Sequence, residues 1–165
     1  KSYSHTFQID ASYPLFKGLE LTAAYRYNLV KATYNGQLMW KPLQSRYKGL
    51  LTASYKTPLG LWQFDATVAL SGGGRMPEPY TLASGNLSWD RNYKAYGQLN
   101  AQITRYFHHF SVYIGGENLT NFKQKNPIVG YQNPWDNVFE PTMIYGPIQG
   151  AMGYVGIRLN LGKRM

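Results

Sequence analysis

Tyr3-Ser4-His5-Thr6-Phe7-Gln8-Ile9-Asp10-Ala11-Ser12-Tyr13 sorts its side chains by parity. The odd positions are Tyr3, His5, Phe7, Ile9, Ala11 and Tyr13; the even ones are Ser4, Thr6, Gln8, Asp10 and Ser12. A β-strand sends successive side chains to opposite faces, so this stretch predicts a strand with one apolar and one wet face. Helical spacing fits it less well.

The alternation returns along the chain and predicts seven strands in all. Leu19 to Val30 sets Leu19, Leu21, Ala23, Tyr25, Tyr27 and Leu29 against Glu20, Thr22, Arg26 and Asn28. Ser45 to Thr57 sets Tyr47, Leu51, Ala53 and Tyr55 against Arg46, Lys48, Thr52, Ser54 and Lys56. Leu61 to Gly72 sets Trp62, Phe64, Ala66, Val68 and Leu70 against Gln63, Asp65, Thr67 and Ser71. Asn92 to Arg105 follows, with Tyr93, Ala95, Leu99, Ala101 and Ile103 on the apolar side. Phe110 to Asn118 and Gln149 to Leu161 complete the set.

The connections carry independent information. Pro14 to Gly18, Thr57 to Gly60 and Tyr106 to His109 are tight, and the first two hold the Pro and Gly that turns require. Lys31 to Gln44, Gly73 to Arg91 and Leu119 to Ile148 are long, so short and long connections alternate. Transmembrane β-barrels have this parity, with short turns on one side of the membrane and long loops on the other. The expected fold class is therefore all-β: the antiparallel wall of a transmembrane barrel. Tyr13, Tyr55 and Trp62 at the short-turn ends, and Tyr27, Tyr47 and Tyr93 toward the long loops, are placed for two interfacial belts.

Composition narrows the function classes. No run of about 18 apolar residues predicts a transmembrane helix, which leaves a barrel open because lumen-facing residues dilute its hydropathy. The absence of Cys excludes thiol catalysis, thiolate metal sites and disulfides. A net charge of +9 fits anionic lipid or an anionic ligand, while the lack of a basic helix or stripe argues against nucleic acid. His108 and His109 are adjacent in a tight turn and far from His5, a poor metal set. Gly72 to Arg75 lacks the lysine and hydroxyl residue of a phosphate-binding loop and reads as flexible connection. Asp10, Glu20, Asp65 and Glu117 share the wet register with Arg26, Arg46, Lys48, Lys56, Lys94 and Arg158, which predicts cross-strand ion pairs rather than acid–base catalysis. No enzymatic constellation and no cofactor site emerges. Ligand chemistry falls to the aromatics of the long connections: Tyr34, Trp40, Tyr80, Trp89, Tyr131 and Trp135, with Phe139. Packing of the loops on one another accounts for the same residues equally well.

Gly115-Gly116-Glu117-Asn118-Leu119-Thr120-Asn121-Phe122-Lys123-Gln124-Lys125-Asn126-Pro127-Ile128 resembles the penultimate-strand motif of TonB-dependent outer-membrane receptors. Tyr145-Gly146-Pro147-Ile148-Gln149-Gly150, followed by Tyr154 to Leu161, resembles their closing strand. The Asn-Pro-Ile and Tyr-Gly-Pro words look like the Bacteroidetes branch. The resemblance covers roughly the last third of the chain, Ile114 to Leu161.

In that family an N-terminal plug fills a barrel of about 22 strands. The resemblance implies that residues 1–165 are the C-terminal part of such a barrel, roughly its strands sixteen to twenty-two, with the plug and earlier strands absent. It implies an active-transport receptor of the bacterial outer membrane that takes up a scarce ligand, a glycan or siderophore or similar, with TonB-derived energy. The implied partners are the remaining barrel and plug, outer-membrane lipid, TonB through the absent N-terminal part, and a surface lipoprotein. Tyr154, Gly156, Leu159 and Leu161 would carry the signal for barrel assembly. The chain departs from the family in ending Gly162-Lys163-Arg164-Met165, with no terminal aromatic. The alternative expectation is a stand-alone small barrel or β-sandwich that binds ligand or adheres without energy coupling.

Overall fold

Each long strand pairs antiparallel with the next long strand in the chain. The structure, a computed structural model, describes residues 1–82 and 85–160. Its strands are β1 (Tyr3–Phe16), β2 (Leu19–Tyr34), β3 (Gln37–Trp40), β4 (Tyr47–Lys56), β5 (Trp62–Ser71), β6 (Gly74–Arg75), β7 (Asn92–Tyr93), β8 (Tyr96–Tyr106), β9 (Phe110–Glu117) and β10 (Met152–Leu159). The sheet order is β1-β2-β4-β5-β8-β9-β10, with β3 folded back on β2 and β6 paired with β7 in a separate ribbon. No helix forms among the described residues. The sheet is open, with β1 and β10 as its edges.

The alternation predicted seven long strands, and seven long strands form the sheet path. Three features differ from expectation. Asn35 and Gly36 both have positive φ, 48° and 79°, and make a two-residue hairpin that extends β2 and adds β3. The stretch from Asn92 breaks after Tyr93, so β7 leaves the sheet and pairs with β6. Tyr93 consequently belongs to neither the apolar row nor a belt; it is buried among the loops. The third difference is the shorter closing strand, which starts at Met152 rather than Gln149.

Register joins the strands into continuous rows. On one face Leu19, Tyr55, Phe64, Ile103, Ile114 and Val155 stand side by side across β2 to β10. On the other, Thr22, Thr52, Thr67 and Asn100 do the same. The apolar face is the uncovered one: Phe7, Leu51, Phe64 and Leu70 are exposed, as are Ile114 at 60% and Val155 at 73%. The polar face is better covered, with Ser111 at 2% and Thr104 at 5% exposure. A water-soluble sheet puts its apolar face inside; this sheet is turned the other way.

The polar face is held by hydrogen bonds rather than ion pairs. Ser54 donates to Asp65 Oδ1 (2.6 Å), Gln63 donates to both Asp65 oxygens, and Tyr106 donates to Gln63 (2.8 Å). Arg26 donates to Gln8 Oε1 through Nε and Nη2. The expected cross-strand ion pairs do not form among the described residues, because register sets Asp65 opposite Ser54 and Gln102, Asp10 opposite Ala24, and Arg26 opposite Gln8 and Lys48.

The last hairpin interlocks through glycine. Gly115 lies opposite Tyr154 and Gly156 opposite Tyr113, so each phenol ring lies over a residue without a side chain. A Cβ at Gly156 would collide with the Tyr113 ring. Tyr154 uses the space to donate to Gln102 Oε1 across β9 (3.0 Å). Gly156→Ala should therefore destabilise the hairpin by about 1–3 kcal/mol. Urea unfolding of the intact gene product in detergent should show that cost shrinking when Tyr113→Ala is added. Equal costs in both backgrounds would contradict the interlock.

Candidate functional site

The long connections converge at one end of the sheet, and their chain geometry follows from a few amides. Asn118 ends β9 at a φ of 50° and is 4% exposed. Its Nδ2 donates to the carbonyls of Phe122 (2.8 Å) and Gln149 (3.0 Å), and its Oδ1 accepts from the Phe122 amide (3.2 Å). Asn121 Oδ1 accepts from the Ala151 amide (3.1 Å). Gln124 donates to the Met143 carbonyl (2.6 Å) and accepts from the amides of Tyr145 (2.8 Å) and Gly146 (3.2 Å). These three side chains bind the start of the last long connection to its end. Asn118 is thus a structural clamp, its side-chain amide spent inside the fold.

Apolar side chains close around this clamp. Met76, Tyr93 and Met143 form a small buried cluster, with Leu43, Trp89 and Tyr145 packed against it. Tyr93 stacks on Tyr145 at 4.2 Å between centroids, and Tyr96 on Phe122 at 4.4 Å. The Tyr93 hydroxyl reaches Ser45 Oγ at 3.4 Å. Burial pushes the Tyr93 and Tyr145 phenols above their ordinary pKa, while hydrogen bonds from the Thr142 hydroxyl and amide hold the Glu140 carboxyl below its own. A raised phenol favours the neutral form in the fold. Its stabilising contribution is complete below pH 10 and is lost as pH rises through the folded value.

Beside the cluster lies a cleft of about 740 Å³, open on one side. Trp89, Tyr93, Phe122 and Tyr145 line it, together with Lys94, Lys123, Lys125 and Asp90. Three cations against one carboxylate make it electropositive. The arrangement suits recognition of a ligand with an apolar or sugar-like body and negative charge.

The six ligand candidates divide. Trp89 packs on the cluster and donates Nε1 to the Pro77 carbonyl (3.0 Å). Tyr80 meets Trp89 edge-on at 5.4 Å and donates to the Val138 carbonyl. Trp40 lies under Lys31 and Arg46, at 5.2 and 4.8 Å, and Tyr34 lies under Arg75 at 5.5 Å. These four are engaged within the loop layer, and only Trp89 reaches the cleft. Tyr131 and Trp135 project outward, Trp135 at 96% exposure. The cleft lysines, Phe122 and Tyr145 carry no local signal, because the segments that bring them together are far apart in sequence. Lys123 and Lys125 stand in the very motif that carries the family resemblance.

Of the assembly candidates, Tyr154 and Gly156 form the hairpin interlock, Leu159 faces outward from the edge strand, and Leu161 lies outside the described residues. His108 and His109 lie in the turn before β9, their rings edge to face at 4.2 Å. No family model, curated protein or solved structure matches this chain.

Gln124→Leu keeps the volume but leaves buried partners unsatisfied, at about 1–3 kcal/mol. Limited proteolysis of the intact gene product should cut between residues 125 and 145 faster than in wild type. Unchanged cleavage would show that Gln124 does not hold the connection.

Proposed function

We propose that this chain is a wall segment of a transmembrane β-barrel in the bacterial outer membrane, belonging to an active-transport receptor of the TonB-dependent kind. The observation that carries the reading is the inverted sheet: a continuous apolar face left open, with a hydrogen-bonded polar face on the covered side. The dimensions agree. The outward residues from Leu19 to Leu29 cover about 33 Å along the strand, which at a tilt of about 40° spans roughly the 25 Å apolar band of a barrel. The open edges at β1 and β10 then pair with other strands of a larger barrel.

In this reading the polar face lines a lumen around a plug, and the loop layer with its basic cleft helps enclose a scarce ligand. The motif resemblance at Ile114 to Leu161 supports energy-coupled uptake, with TonB acting through other parts of the receptor. A surface lipoprotein is a fitting partner for the loop side. The reading assigns no catalysis and no nucleic acid. A stand-alone soluble sandwich is the weaker alternative, because among the described residues no second layer covers the apolar rows and the one buried apolar cluster sits in the loops.

Two measurements test the membrane reading. Phe64→Arg should cost about 2–4 kcal/mol if that site lies near mid-bilayer, and should lower the assembled protein in outer-membrane fractions. Normal assembly of Phe64→Arg would contradict a lipid-facing row. Epitope tags beside Leu38, Trp89 and Trp135 should bind antibody on intact cells, and tags at Lys17, Leu59 and His108 should not. The reverse pattern would invert the topology, and recovery of the protein in the detergent-free soluble fraction would overturn the membrane assignment.

A further inference from the structure

Arg105 is a cation on the wrong face. Register sets it opposite Trp62 on β5 and Val112 on β9, in the outward apolar rows and one step from Ile103. Its guanidinium lies 4.7 Å from the Trp62 ring centroid and 5.6 Å from that of Phe107. Phe107 in turn stacks on Phe110 at 4.6 Å. The three rings are partly exposed and lie beside the short turn between β8 and β9, with the guanidinium against two of them.

Among the described residues no carboxylate pairs with this charge. The ion pairs among the described residues are Arg75–Glu78 and Arg91–Glu78, both outside the main sheet. The strand carboxylates Asp10, Glu20, Asp65 and Glu117 all occupy the opposite register. A guanidinium on an apolar face is costly unless an anion completes it. The Trp62 and Phe107 rings both lie within cation–π range of the guanidinium, and a guanidinium fork can match two phosphate oxygens at once.

We propose that Arg105, with Trp62 and Phe107, binds the phosphodiester of an anionic phospholipid in the leaflet on the short-turn side. The inference rests on the membrane reading above. Depth favours lipid over free phosphate: Arg105 follows directly on the Ile103 row, at the border where headgroups meet the apolar band. The rings supply the surface on which the glycerol backbone and first methylenes pack.

The test is native mass spectrometry of the intact gene product, released in mild detergent and titrated with phosphatidylglycerol or phosphatidylethanolamine. Wild type should retain phosphatidylglycerol preferentially. Arg105→Gln should reduce that retention at least threefold, while Arg158→Gln, which removes a cation from the polar register, should leave it unchanged. Arg105→Lys keeps charge but loses the stacked fork, and should retain less than wild type; it serves as the readout where Arg105→Gln does not assemble. Equal retention in wild type and the Arg105 variants overturns the site. Full displacement of the lipid by millimolar inorganic phosphate would identify a free-phosphate site instead and also overturn it. A protein that stays monodisperse without detergent and retains no lipid removes the membrane reading as well, whereas a detergent-dependent protein with Arg105-independent retention removes only this inference.

Discussion

Cross-strand register is the constraint on which everything else depends. Side chains alternate with a period of two, so a slip of one residue between any two strands would move a whole apolar set to the opposite face. From β2 to β10 the rows run without such a slip, and the register shift in β1 is confined to Pro14 and Phe16 beside the first turn. Two devices hold the register. Polar pairs such as Thr52 with Thr67 (3.1 Å) and Ser54 with Asp65 tie neighbouring strands on one face. The crossed tyrosine–glycine pairs of β9 and β10 allow one alignment and penalise the next.

The loop layer depends on the same register at one remove. Asn118 can reach both Phe122 and Gln149 only because β9 and β10 deliver the two ends of the connection side by side. Buried amides hydrogen-bonded at both ends specify a chain path more tightly than apolar packing does. That rigidity is useful to a binding surface, since a preorganised loop loses less entropy when a ligand arrives. The cleft lysines ride on this frame: Lys123 and Lys125 flank Gln124, whose own side chain is buried and bonded through both its oxygen and its nitrogen.

The strands were legible because their signal is local. Gln63 to Ser71 spells out its two faces, and β5 shows strict alternation of exposed and covered residues. The hairpin at Asn35-Gly36 was legible too, in a dipeptide whose positive φ values a two-residue turn requires, but it lay inside a stretch read as one long loop. Tyr93 was not legible. Its alternation continues into β8, and only the distant Tyr145 and Ser45, brought close by the loops, draw it out of the sheet. The ion pairs failed for a related reason: sharing a face does not make residues neighbours, and the pairing that decides it is set by turns elsewhere. The cleft was hidden because it is built from three segments that no single window of sequence contains.

The central claim is that the apolar rows face lipid. This chain has no native cysteine, so single Cys substitutions along β5 can be spin-labelled in the intact gene product, with any cysteines elsewhere replaced, and reconstituted into bilayers. Accessibility to oxygen, which partitions into the acyl region, should peak at Phe64, Ala66, Val68 and Leu70. Accessibility to a water-soluble nickel chelate should favour Gln63, Asp65, Thr67 and Ala69 wherever the lumen admits it. Oxygen accessibility without a two-residue period, or with maxima at Gln63, Asp65 and Thr67, would contradict the claim.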